Sequence, residues 1–177
     1  MKKLIWMAAF ILLLTACASG PSIVSNTSPG TDFRAFKTWN FMPQLGTDRD
    51  NGARTPMSSL LMTAMEGEME SRGLSKSDSP DLLVDFNVWA ENRVDIRSTP
   101  THTLHRSHWH RGFSTWPTYN TTVRQYTEGS LLIDLIDPRA GILVAEAAAS
   151  QRISDNSLSQ EQADQLVAGL MMSIWAN

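Results

Sequence analysis

Leu131-Leu132-Ile133-Asp134-Leu135-Ile136-Asp137-Pro138-Arg139-Ala140-Gly141-Ile142 reads as a strand running into a turn. Leu131, Ile133 and Leu135 alternate with Leu132, Asp134 and Ile136, the two-residue period of an extended chain. Asp137 to Gly141 places Pro and Gly where a reversal needs them. Ile142 to Ser150 then returns as the partner strand. Its Ala145, Ala147, Ala148 and Ala149 are small enough to let another element come close. Upstream the outgoing strand extends to about Thr122, and Glu128-Gly129 reads as a bulge within it.

Working outward, Asp81 to Ala90 follows Ser79-Pro80 and alternates again. Leu82, Val84, Phe86, Val88 and Ala90 share one side; Asp85, Asn87 and Glu91 share the other with Leu83 and Trp89. That pattern predicts a strand with one buried face. Phe33 to Phe41, rich in aromatics, predicts a first strand. Between these lies a helix. Thr55 is its N-cap and Pro56 its first residue, Met57, Leu60, Leu61, Ala64, Met65 and Met69 form its apolar stripe, and Gly73 stops it. A second helix opens at Ser159 with Gln162 as a capping box, and its stripe is Ala163, Leu166, Val167, Leu170, Met171 and Ile174. The expectation is an α+β domain over residues 32–177. It would be a single layer of about four mostly antiparallel strands with two helices on one face, in the order β-α-β-β-β-α.

The amino terminus has a different character. Lys2 and Lys3 precede an apolar run from Leu4 to Leu14, too short for a membrane span and proportioned like a secretion signal. Leu14-Thr15-Ala16-Cys17 resembles a lipobox. The resemblance implies cleavage after Ala16, a diacylglyceryl thioether on Cys17 and an acylated new terminus. Residues 1–16 are then the signal peptide. Cys17 is the only cysteine of the chain, so no intramolecular disulfide can form, and lipidation occupies an otherwise unpaired thiol. Ala18, rather than Asp, follows it, which by resemblance to lipoprotein sorting in Gram-negative bacteria implies the periplasmic face of the outer membrane. Residues 17–31, small, polar and broken by Pro21, Pro29 and Gly30, read as a lipidated tether spanning roughly 20 Å. From Cys17 onward 13 basic residues face 18 acidic ones. That balance argues against nucleic acid and against a basic lipid-binding surface.

Four stretches resemble a known family, the periplasmic lipoproteins grouped as domain of unknown function 4136. They are Trp39-Asn40-Phe41, Pro80-Asp81-Leu82-Leu83-Val84, the run from Tyr126 to Pro138, and the lipobox. The family usually carries an aromatic-Arg-Gly step after the hairpin, where this chain has Ala145-Glu146-Ala147. The resemblance implies an envelope location and a one-domain α+β fold, and no activity.

Three candidate chemistries stand out. His102, His105, His108 and His110 fall within nine residues, inside a stretch from about 97 to 120 that reads as a long His- and Trp-rich loop. Imidazoles at such spacing suit Zn, Cu or Ni. Their protonation between about pH 7 and 5 would take the net charge from about -5 towards -1. Trp109, Trp116 and Tyr119 make the same loop a candidate partner-binding element for an envelope protein. Asp85 and Asp134, on strands that could be neighbours, are the pair an envelope-polymer hydrolase would need. There is no HExxH, no Gly-rich phosphate loop and no assembled Ser/His/Asp set, so no catalytic residue is assigned. The leading expectation is a non-enzymatic envelope accessory without a cofactor. A metal-binding module comes second and the hydrolase third.

Overall fold

The computed structural model describes residues 20–106, 113–153 and 158–176. Its strands are β1 (Ser22–Thr27), β2 (Thr38–Phe41), β3 (Ser75–Lys76), β4 (Leu82–Arg106), β5 (Phe113–Asp137) and β6 (Ile142–Ile153). Its helices are α1 (Pro56–Ser71) and α2 (Gln160–Trp175). The six strands form one sheet in the order β1-β6-β5-β4-β2-β3. From β1 through β4 neighbours are antiparallel, whereas β2 runs parallel to both β4 and β3.

The α+β class holds, but the expected four-strand, mostly antiparallel layer is wrong: the sheet has six strands and is mixed. Two strands carry no sequence signal of their own. β1 lies in the polar stretch read as tether, and β3 has only two residues. The parallel pairing arises because α1 carries the chain back before β4 starts. The aromatic segment is also shorter as a strand than expected. Asp32 accepts from the Arg34 amide and turns Phe33–Ala35 into a 3-10 turn, leaving only Thr38–Phe41 extended. The register is continuous through Glu128-Gly129, and the bulge sits instead where Leu135 and Ile136 oppose Ala145 and Leu143.

The stretch expected to be a loop differs most. β4 and β5 pair without a break from Leu83↔Ile136 to Arg106↔Phe113, so residues 97–106 and 113–120 are strand. Thr, Val, Ile and Tyr at alternating positions suit an extended chain. Strands of 25 residues lie far outside the usual length, so a loop was the better expectation from sequence alone.

The caps behave as the sequence implied. The Thr55 hydroxyl accepts from the Ser58 amide at 3.0 Å. Gly73, at φ +78°, turns the chain out of α1, with the Leu74 amide donating to the Met69 carbonyl at 3.1 Å. Ser159 and Gln162 form the full capping box of α2. Leu61, Met65 and Met69 of α1 meet Val167, Leu170, Met171 and Ile174 of α2 over Leu82, Val84, Phe86, Ile133 and Leu135. The methionine stripe is therefore core. Each such side chain contributes about 1.5–3 kcal/mol by leaving water. Gly169 lets α2 sit close on β1: a Cβ there would lie 3.1 Å from Ile23 Cδ1. The alanines of β6 pair with β1, as their small size implied.

Candidate functional site

Three places hold unusual chemistry: the sheet face away from the helices, the projecting β4–β5 hairpin, and a groove at its root.

On the face away from the helices, Asp85, Asp134, Glu146 and Asn26 stand in one row across β4, β5, β6 and β1. Asp85 and Asp134 are thus direct register partners. Asp85 is already engaged. It accepts from the Gly46 amide at 2.8 Å and from its neighbour Phe86 at 2.8 Å. Gly46 must be glycine, because a Cβ would fall 2.0 Å from Asn87 Oδ1 and 2.8 Å from the Phe86 carbonyl. Asp85 therefore clamps the 42–55 loop to the free edge of β4. Asp134 is different. Burial first, then the charges of Asp85 and Glu146, push its carboxyl above the ordinary carboxylate range. Its Oδ1 is enclosed and has no hydrogen-bond partner. Neither carboxylate lines the groove at the root of the arm or the hollow at Ser25–Thr31.

Two further carboxylates hold the frame. Asp81 accepts from the Lys37 and Thr38 amides at 3.0 and 3.1 Å and pairs with Arg139 of the β5–β6 turn. The Lys37 amide first, then the Thr38 hydroxyl and amide, hold it below the usual range against some desolvation, with help from Arg139. Burial pushes Asp48 up, but the Leu45 amide, Ser58 and Arg54 outweigh it and hold it low. Asp81 explains why Pro80-Asp81 introduces β4.

The hairpin leaves the sheet at a definite line. The last residue of β6, Ile153, pairs with Thr127, which pairs with Asn92. Beyond that line, among the described residues, only β4 and β5 continue, for about 50 Å at 3.3 Å per residue. Over residues 92–101 and 118–127 both sides of the arm are exposed or half-buried. Its back carries ions: Arg93 bridges Glu91 and Glu128 at 3.2 and 2.9 Å, and Asp95 meets Arg97 and Arg152 at 3.3 and 3.6 Å. Arg152 also stacks over Tyr126 at 3.8 Å. Its front continues the helix-covered side and carries an apolar stripe beside Ser98, Thr121, Gln125 and Thr127. Val94, Ile96 and Val123 are 55%, 64% and 59% exposed, and Ile96 lies directly opposite Val123. At the root, Val88, Gly129, Leu131, Met57, Leu158 and Leu166 help to enclose a groove of about 700 Å³.

The sequence-predicted site residues scatter along this arm. His102 and His105 lie in β4, at the positions paired with Pro117 and Ser114. His108, His110 and Trp109 lie outside the described residues, as does Cys17. Trp116 falls in β5 opposite Thr103, and Tyr119 lies opposite Pro100 with 66% of its surface exposed. Among the described residues no three His, Cys, Asp or Glu side chains are grouped to hold a metal. Nor is any helix there long and apolar enough to cross a membrane. Sequence reading missed the two-faced arm, although Arg93-Val94-Asp95-Ile96-Arg97 alternates plainly enough to show it.

A mixed six-stranded sheet with two helices on one face and a two-stranded arm at one end defines the class of the domain. The chain belongs to the family described as domain of unknown function DUF4136, whose model matches residues 23–173. No curated protein matches it. Among solved structures it is similar to a PDZ domain protein from Parabacteroides distasonis, with a TM-score of 0.56 and 19% identity. That match covers 94% of this chain and 39% of the other, so the chain spans about two fifths of that protein. It is also similar to the PelC dodecamer from Paraburkholderia phytofirmans, with a TM-score of 0.46, 12% identity, and 86% and 96% of the two chains covered. The first likeness is one of fold.

Proposed function

We propose that the protein is a non-enzymatic accessory of the cell envelope. It is anchored through lipidated Cys17 to the periplasmic face of the outer membrane and makes its contact with another envelope component through the β4–β5 arm. One observation carries this reading. β1 starts at Ser22, opposite Ser150, and runs away from the arm. The anchor residue therefore precedes the domain at the end from which the arm projects. A chain fixed at Cys17 holds its arm beside the anchoring membrane. The lipobox, the lone cysteine and the family support the envelope assignment.

Two measurements test it. Intact-mass analysis of the protein extracted from membranes should show the acyl groups on Cys17. Crosslinking in cells should recover a contact from the arm, and shortening the arm should abolish it while the domain stays folded. A domain that unfolds on shortening, or a contact that persists, overturns the reading.

A further inference from the structure

The arm faces a geometric conflict, and one arrangement resolves it. Five residue steps separate Cys17 from Ser22, at most about 17 Å of chain. Ser22 is level with Ser150, Ser130 and Trp89 across the sheet. From that level β4 runs on to Arg106, roughly 55 Å of extended strand. Standing upright on a membrane at Cys17, the domain would drive the outer ~40 Å of its arm through the bilayer. A two-stranded ribbon cannot go there. Both of its edges present unpaired amides and carbonyls, and each such group in hydrocarbon costs several kcal/mol.

We infer that the arm lies along the bilayer surface, with the stripe of Val94, Ile96, Val123 and Tyr119 turned into the lipid headgroup region; this rests on the anchor proposed above. In the interface the edges stay hydrated while the apolar front leaves water. Tyr119, with its amphipathic ring, suits that depth. Arg93, Arg97 and Arg124 lie on the back of the arm, so the side turned away from the lipid stays in water. The strands 92–106 and 113–127 carry Arg93, Arg97, Arg106 and Arg124 against a single acid, Asp95. Residues 17–91 and 128–177 carry 17 acidic and eight basic side chains. The acidic balance of the chain thus belongs to the body and not to the arm. An isolated two-stranded ribbon is at best marginal in water, so an arm this long requires a surface to lie on.

The test uses the full chain, lipidated in cells and reconstituted into vesicles of phosphatidylethanolamine and phosphatidylglycerol. Single cysteines are introduced at the front (Ile96→Cys, Val123→Cys) and at the back (Arg97→Cys, Arg124→Cys). Each carries an environment-sensitive fluorophore, and brominated lipid is the quencher. Front labels should be quenched at least about threefold more than back labels, as for an interfacial element with one buried face. The double variant Ile96→Ser with Val123→Ser should keep the melting temperature, since both residues are exposed, yet lose quenching of a label at Tyr119→Cys. Equal, weak quenching at all four positions overturns the inference. So does shielding of the front by a second copy, seen as a doubled mass by light scattering together with blue-shifted front labels in detergent. If the intact mass lacks acyl groups but the front is still quenched, the anchor reading fails and the arm contact stands.

Discussion

Asp85 and Asp134 stand directly opposite each other on β4 and β5, yet only Asp85 has hydrogen-bond partners. The first is a clamp for the loop at Gly46. The second is held close to two like charges, with an enclosed oxygen that nothing satisfies. The pair is a local cost in the fold.

Replacing the unsatisfied acid should therefore stabilise the protein. Asp134→Asn can donate to Asp85 or Glu146, and the gain at neutral pH should be about 1 kcal/mol, the scale of a buried acceptor left unmade. The sign with pH follows from the raised carboxyl. Between its unfolded and folded values the native state binds the extra proton, so stability falls as pH rises through that window. The advantage of Asn should shrink as the buffer is acidified through it. Thermal melts of both proteins from neutral to acidic pH check this, and a variant that melts lower at neutral pH would refute it.

Asp81 should show the opposite sign. Its depressed carboxyl contributes stability above the ordinary carboxylate range, and that contribution is lost as pH falls through the folded value. Asp81→Ala should melt lower than the wild type at pH 7, with the gap closing under acid. Arg139→Ala should reproduce only part of the loss, because the Lys37 and Thr38 amides are still bound.

The loop at the edge of β4 depends on one missing side chain. Gly46→Ala should cost about 1–3 kcal/mol, the usual penalty of forcing extra volume against fixed atoms. The Phe86 carbonyl in its way is backbone and cannot rotate aside. Chemical denaturation gives the number.

Removing the α1 cap is a milder change. Thr55→Ala takes away the acceptor for the Ser58 amide and should cost about 1 kcal/mol. Thr55→Ser keeps the oxygen and should cost much less. Equal losses from the two would argue that the threonine methyl, and not the cap, matters.

The arm can be cut without touching the core. Joining Glu91 to Glu128, which are register partners, through Asn-Gly makes a type I′ hairpin. The shortened protein should melt within a few degrees of the wild type, because none of the described residues beyond that line belongs to the core. A collapse in stability would mean that the arm folds back on the body.

Much of the body was legible in the chain because its signals are local. Caps are satisfied within three residues, so Thr55, Gly73, Ser159 and Gln162 could be read directly. The buried faces of both helices and of Leu82, Val84, Phe86, Leu131, Ile133 and Leu135 follow from periodicity alone. The edge strand β1 was not legible. Ser22-Ile23-Val24-Ser25-Asn26-Thr27 gains its structure from the alanines of β6 and from the close approach of α2 at Gly169, both more than 100 residues away. The two roles of Asp85 and Asp134 were hidden for the same reason. Only the 42–55 loop, distant in sequence, distinguishes one from the other.

By itself, then, the sequence determined the α+β class, the ends of the helices, which side of each strand enters the core, and the lipobox that sets an expectation of address. These are properties of residues within a few positions of one another. The tertiary structure decided that the presumed tether holds an edge strand, that the presumed loop is a ribbon with an apolar stripe on one face and ions on the other, and that β1 begins at the end of the sheet from which the ribbon projects. Those outcomes depend on which strands become neighbours and in what register. Long-range pairing sets both, and no local pattern of side chains encodes them.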